Sequence, residues 1–104
     1  MLAVTNESDF NTDDNLIAVK FWASWCGPCK QMNPSIEKLE KEFPNVKFVS
    51  VEIDQVPLIA KSHKIRSLPA LLLFKNGKEY KRINGLTLID PLRSAFRDFT
   101  DGEE

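Results

Sequence analysis

Leu16-Ile17-Ala18-Val19-Lys20-Phe21-Trp22-Ala23-Ser24-Trp25-Cys26-Gly27-Pro28-Cys29 is the stretch that decides the fold. Its first eight residues are β-prone and mostly apolar, the pattern of a central strand covered on both faces. The strand runs straight into a turn that carries two cysteines three positions apart. Beyond the turn, Met32, Ile36, Leu39 and Phe43 recur at steps of four, three and four, with Lys30, Glu37, Lys38, Glu40 and Lys41 on the other faces. That spacing predicts an amphipathic helix. Pro34 lies inside it, removes one backbone donor and is expected to kink it, and Pro44-Asn45 ends it.

Outward from this unit the chain alternates strands and helices. Val46 to Ile53 alternates at period two and reads as a strand, and Pro57 to Lys64 suits a short helix with proline in its first turn. Ala70 to Lys75 is a further strand, joined by the hairpin turn Asn76-Gly77 to another at Lys78 to Ile83. A closing helix is expected from about Thr87 to Phe99, with Leu88, Leu92, Ala95, Phe96 and Phe99 as its inner stripe and Asp90-Pro91 in its first turn. A short first helix is expected at Ser8 to Asp14, a short strand at Leu2 to Thr5, and a disordered acidic tail at 101–104. Strands joined by helical crossovers are expected to be parallel neighbours, with the hairpin adding an antiparallel edge. The reading is α/β, a mixed central sheet of four to five strands flanked by about four helices, in a single domain over 1–104.

The composition narrows the function. The chain has 104 residues, 42% apolar and 28% charged, with a formal net charge of −1. A chain of this length buries roughly 60–65% of its unfolded surface, enough for a core without disulfide stapling. The near balance of charge offers no electrostatic footprint for nucleic acid. The longest apolar run, Leu68 to Phe74, includes a proline and is far short of the roughly 20 residues of a membrane span. No basic cluster followed by an apolar run opens the chain, so neither a secretory signal nor a transit peptide is expected, and the expected location is cytoplasmic. In a reducing compartment a close cysteine pair is more often catalytic or metal-binding than a staple.

Cys26 and Cys29 at a strand-to-helix junction can face each other across one helical turn and close a reducible disulfide without moving the backbone. Cys26 at the helix N-terminus would have its thiolate stabilised by free N–H groups and the helix dipole, and Cys29, one turn deeper, suits resolution of a mixed disulfide. Pro28 presets the backbone of the first turn. A zinc site would need four soft ligands, and His63 is the only other candidate, so no metal is expected. Gly27-Pro28 is poor material for the interior of a core, which argues against two inert cysteines. His63 itself reads as a partly exposed surface residue, and Lys61, Lys64 and Arg66 around it as a solvated face.

The segment Phe21 to Lys30 resembles the active-site segment of the thioredoxin family. The likeness runs from about Phe10 to Phe99 and includes Pro34, Ile53-Asp54, Ile65-Arg66-Ser67-Leu68-Pro69, Phe74-Lys75-Asn76-Gly77 and Gly85. The resemblance implies the thioredoxin fold and a protein-disulfide reductase in which Cys26 attacks a target disulfide and Cys29 resolves it. It also implies a cis Pro69 facing the cysteines, pairing of the Leu68 backbone with an extended substrate, and a groove rimmed by Trp25, Gly27, Pro28 and Gly85. No bound cofactor is implied; electrons would come from NADPH through a thioredoxin reductase, the targets would be oxidised proteins, and the chain would act as a monomer. The alternative is a thioredoxin-like redox or adaptor domain of a larger protein, such as a multidomain monothiol glutaredoxin.

Three positions depart from the family pattern: Lys20 stands where a buried aspartate is usual, Ser50 where a basic residue is common, and Ala70 where threonine follows the proline. Strand alternation points Lys20 inward on the face of Ala18 and Trp22. Its ammonium is expected to reach water or to pair with Glu52. A functional alternative is that it modulates the cysteines, favouring thiolate. A charged lysine cannot serve as a base, so resolution by Cys29 is expected to be slower or to rely on water or another base.

Overall fold

Five strands form one sheet in the computed structural model, which describes residues 1–101. In chain order the elements are β1 (Leu2–Val4), a single 3-10 turn (Glu7–Asp9), β2 (Leu16–Trp22), α1 (Gly27–Glu42), β3 (Lys47–Glu52), α2 (Pro57–Ser62), β4 (Ala70–Lys75), β5 (Lys78–Asn84) and α3 (Ile89–Thr100). The spatial order is β1-β3-β2-β4-β5. Strand β3 runs parallel to both β1 and β2, β4 runs antiparallel to β2, and β5 antiparallel to β4.

Alternation along β2 explains why it lies at the centre. Ile17, Val19 and Phe21 pack on one face with Val56, Ile59 and Ala60 from α2 and its approach. Leu16 and Ala18 point to the other face, against Met32, Ile36 and Leu39 of α1 and Leu92, Phe96 and Phe99 of α3. Phe96 stacks parallel to Phe48 at 5.5 Å and meets Phe99 edge-on at 6.2 Å, a favourable arrangement of ring quadrupoles. At the hairpin, Asn76 and Gly77 both take left-handed backbone (φ 52° and 84°), the conformation that a two-residue turn matched to strand twist requires.

Several expectations are corrected. The first helix at Ser8 to Asp14 is only the 3-10 turn at Glu7–Asp9, so three α-helices flank the sheet rather than about four. The strand after α2 is not a parallel neighbour of β3: β4 crosses to the far side of β2 and enters antiparallel. Leu88 is 75% exposed, because α3 starts at Ile89 and Leu88 is its extended N-cap, outside the apolar stripe. His63 is partly exposed, as expected, with its ring edge-on to Phe10 at 5.3 Å and to Phe74 at 5.7 Å. Arg82 reaches from β5 to the His63 and Lys64 carbonyls at 2.7 and 3.2 Å, tying off the end of α2. Of the expected tail at 101–104, all but Asp101 lies outside the described residues.

Candidate active site

The end of β2 delivers the cysteines to the N-terminus of α1. Cys26 is the N-cap, with extended backbone (φ −92°, ψ 102°), and its sulfur accepts the Cys29 N–H at 3.2 Å. A helix start leaves N–H groups unsatisfied, and here a sulfur takes one of them. Gly27 and Pro28 fill the first turn, where proline costs the helix nothing. Cys26 and Cys29 are joined in a disulfide, with Cα atoms 5.3 Å apart. Cys29 is 1% exposed and Cys26 5%, packed with Ala23 against Trp22, Ile53 and Leu68. Cys26 also lines an open recess, which makes it the reachable end of the pair.

That recess has a volume of about 470 Å³ and is lined by Trp25, Gly27, Pro28 and Leu68, and by Ile53, Ile65, Arg66 and Ser67. The last four come from the two loops flanking α2, so no local pattern in the chain announces them as groove residues. The signal that could have found them is the run Ile65 to Pro69, apolar at both ends and leading into a proline. The Leu68-Pro69 peptide bond is cis. Pro69 and Gly85 are not among the lining residues, but they are coupled: the Gly85 N–H donates to the Pro69 carbonyl at 2.8 Å. Gly85 has φ 83°, a conformation side chains rarely adopt. Trp25 is 67% exposed and its Nε1 donates to Asp54 at 2.9 Å, which holds the indole at the rim.

Behind the disulfide lies Lys20, 4% exposed. Its ammonium does not pair with Glu52, which sits opposite Trp22 in the β2–β3 register. It donates instead to the Cys29 carbonyl at 3.1 Å and to the side-chain oxygen of Asn33. Burial draws its pKa below the ordinary 10.5. The β3 residue opposite it is Ser50, so no carboxylate or second cation flanks it across the strands. Among the described residues no cluster of three or more His, Cys, Asp or Glu could hold a metal, and no helix is long and apolar enough to cross a membrane.

A buried Cys-Gly-Pro-Cys disulfide capping a helix at the end of the central strand of a mixed sheet, packed against Leu68 of a cis Leu68-Pro69 bond, defines a thiol–disulfide oxidoreductase. Comparison with known proteins agrees. The thioredoxin family model matches residues 2–98. Thioredoxin-1 of Saccharomyces cerevisiae is 42% identical over 72 residues, 69% of this chain and 70% of that protein. Thioredoxin of Chlamydia trachomatis is 39% identical over 94 residues, 88% and 92% of the two chains. The X-ray structure of Fasciola hepatica thioredoxin superposes with a TM-score of 0.86 at 31% identity, covering 95% of this chain and 99% of that one. The chain belongs to the thioredoxin family and is a disulfide reductase acting through Cys26 and Cys29. The intact cysteine pair and these relatives favour that activity over an adaptor module.

Proposed function

We propose that the chain reduces disulfides in oxidised proteins by two-step exchange, with Cys26 as the attacking thiolate and Cys29 as the resolving thiol. One observation carries this order: Cys26 caps α1 at the mouth of the recess, while Cys29 is enclosed within the helix. Helix N–H groups and the dipole favour negative charge on the Cys26 sulfur. Gly27 and Pro28 modulate the pair by setting the turn between the sulfurs. An extended target segment lies along the recess against Trp25, Gly27, Pro28 and the Leu68 backbone, with Pro69 and Gly85 bounding its far side.

The mixed disulfide forms when Cys26 attacks one target sulfur and the other leaves as thiolate. Cys29 then attacks the Cys26 sulfur, releasing the second target thiolate, and two electrons have moved to the target. A thioredoxin reductase drawing on NADPH returns the electrons, with no cofactor resident on this chain. In this reading the chain is a monomeric single domain over 1–104, an electron carrier serving redox homeostasis in the cytoplasm. Family membership supports it. Insulin-disulfide reduction coupled to NADPH and a thioredoxin reductase tests it. Wild type turns over and Cys29→Ser falls by at least about 100-fold, a trapped mixed disulfide accumulating. Equal activity of the two refutes the dithiol mechanism.

A further inference from the structure

Lys20 is the one charged side chain buried among the described residues. Its register neighbours, Ser50 on β3 and Leu71 on β4, bring no carboxylate to it. The ammonium crosses instead to α1, to the Cys29 carbonyl and the Asn33 side chain. By covalent dimensions, a cation 3.1 Å from that carbonyl lies within roughly 8 Å of the Cys29 sulfur. A recess of about 240 Å³ opens on it, lined by Met1, Lys20, Trp22, Asn33, Glu37 and Ser50. Of these, Glu37 is the only carboxylate, and the Met1 amino group is paired with Glu40 at 2.6 Å. Nothing else charged faces the ammonium from α1, β1, β3 or β4.

We propose that Lys20 is a positioning residue for the Cys26–Cys29 couple, holding Cys29 by its carbonyl and, as an ammonium, stabilising the thiolate of the reduced form. The inference rests on that pair being the working couple. The lowered pKa of Lys20 reports a weakly screened interior, where a charge acts further than it does in water. Lys20 takes no proton in the reaction. The Cys29 thiol gives its proton to water as it attacks Cys26, and the departing target thiolates take theirs from water. The ammonium keeps its charge at the Cys29 carbonyl throughout. Stabilising thiolate stabilises the reduced couple, so the cation makes the chain a weaker reductant than an apolar side chain there would.

Lys20→Met tests this. The pH midpoint of iodoacetamide alkylation of the reduced protein rises by about one unit, and the equilibrium with glutathione shifts about tenfold toward the oxidised pair, about 30 mV for a two-electron couple. Asn33→Ala, which keeps the charge but frees the ammonium, shifts both in the same direction by less. A Lys20→Met protein that is folded by circular dichroism, with unchanged midpoint and equilibrium, overturns the proposal. Should that variant fail to fold, an Asn33→Ala protein with both readouts unchanged overturns it equally. A wild type inactive on insulin would instead refute the reductase reading.

Discussion

Charging a lysine that is 4% exposed costs free energy that the same lysine in the unfolded chain never meets. Two oxygens offset part of that cost here, the Cys29 carbonyl and the Asn33 side chain. The balance has a sign that pH reveals. Because the folded pKa of Lys20 lies below 10.5, the unfolded chain binds more protons between the two values, and stability rises with pH across that window. Below the window both states are charged and the contribution is constant. Urea unfolding of wild type and Lys20→Met from about pH 7 to about pH 10.5 therefore gives a difference curve flat at its lower end, along which wild type gains toward the upper end. A curve flat throughout would mean that burial does not perturb this lysine. No sequence pattern located its partners, since Cys29 and Asn33 belong to a different element and only the packing of α1 on β2 brings them within reach.

At the scale of elements, local pattern was sufficient wherever contacts are local. The period-two run of β2, the helical spacing of Met32, Ile36 and Leu39, and the Asn76-Gly77 turn all became what their spacing implies. What spacing could not supply was direction across the sheet: β4 pairs with β2 rather than β3, a choice made by burial of its apolar run Leu71-Leu72-Leu73 between two helical layers. Leu88 misled for a related reason, because it continues an apolar stripe one position before the point where helix α3 begins. Arg82 was equally illegible, its targets being main-chain carbonyls nearly twenty residues away. Its guanidinium also pairs with Glu79 at 2.9 Å and holds that carboxyl below the usual range by hydrogen bonding. An exposed ion pair alone contributes under about 1 kcal/mol, whereas carbonyls at a helix end gain more from a charged donor. Arg82→Ala should thus cost about 1–2 kcal/mol in urea unfolding and Glu79→Ala less than about 1. Equal losses would show that the two carbonyl bonds contribute nothing.

Across the whole molecule, the sheet divides the interior into two apolar clusters, and the cysteines occupy a third, small one beyond the end of its central strand. Phe96 is fully buried and joins Phe43, Phe48 and Phe99 on the α1–α3 side. Phe96→Ala should destabilise the fold by about 3–5 kcal/mol through lost burial and the cavity left behind. Because it lies in the cluster away from the cysteines, the variant under native conditions should keep the wild-type alkylation profile, and a shifted profile would contradict the separation of core from site.

Cys26 and Cys29 are only three positions apart. Linking neighbours so close removes little freedom from the disordered chain, about 2 kcal/mol against nearly 5 for a bond spanning a hundred residues. The clusters on either side of the sheet contain neither cysteine, so opening the bond is expected to leave them packed. The molecule's capacity to be spent and recharged is thereby uncoupled from its capacity to stay folded, and each cycle costs the cell electrons and no refolding.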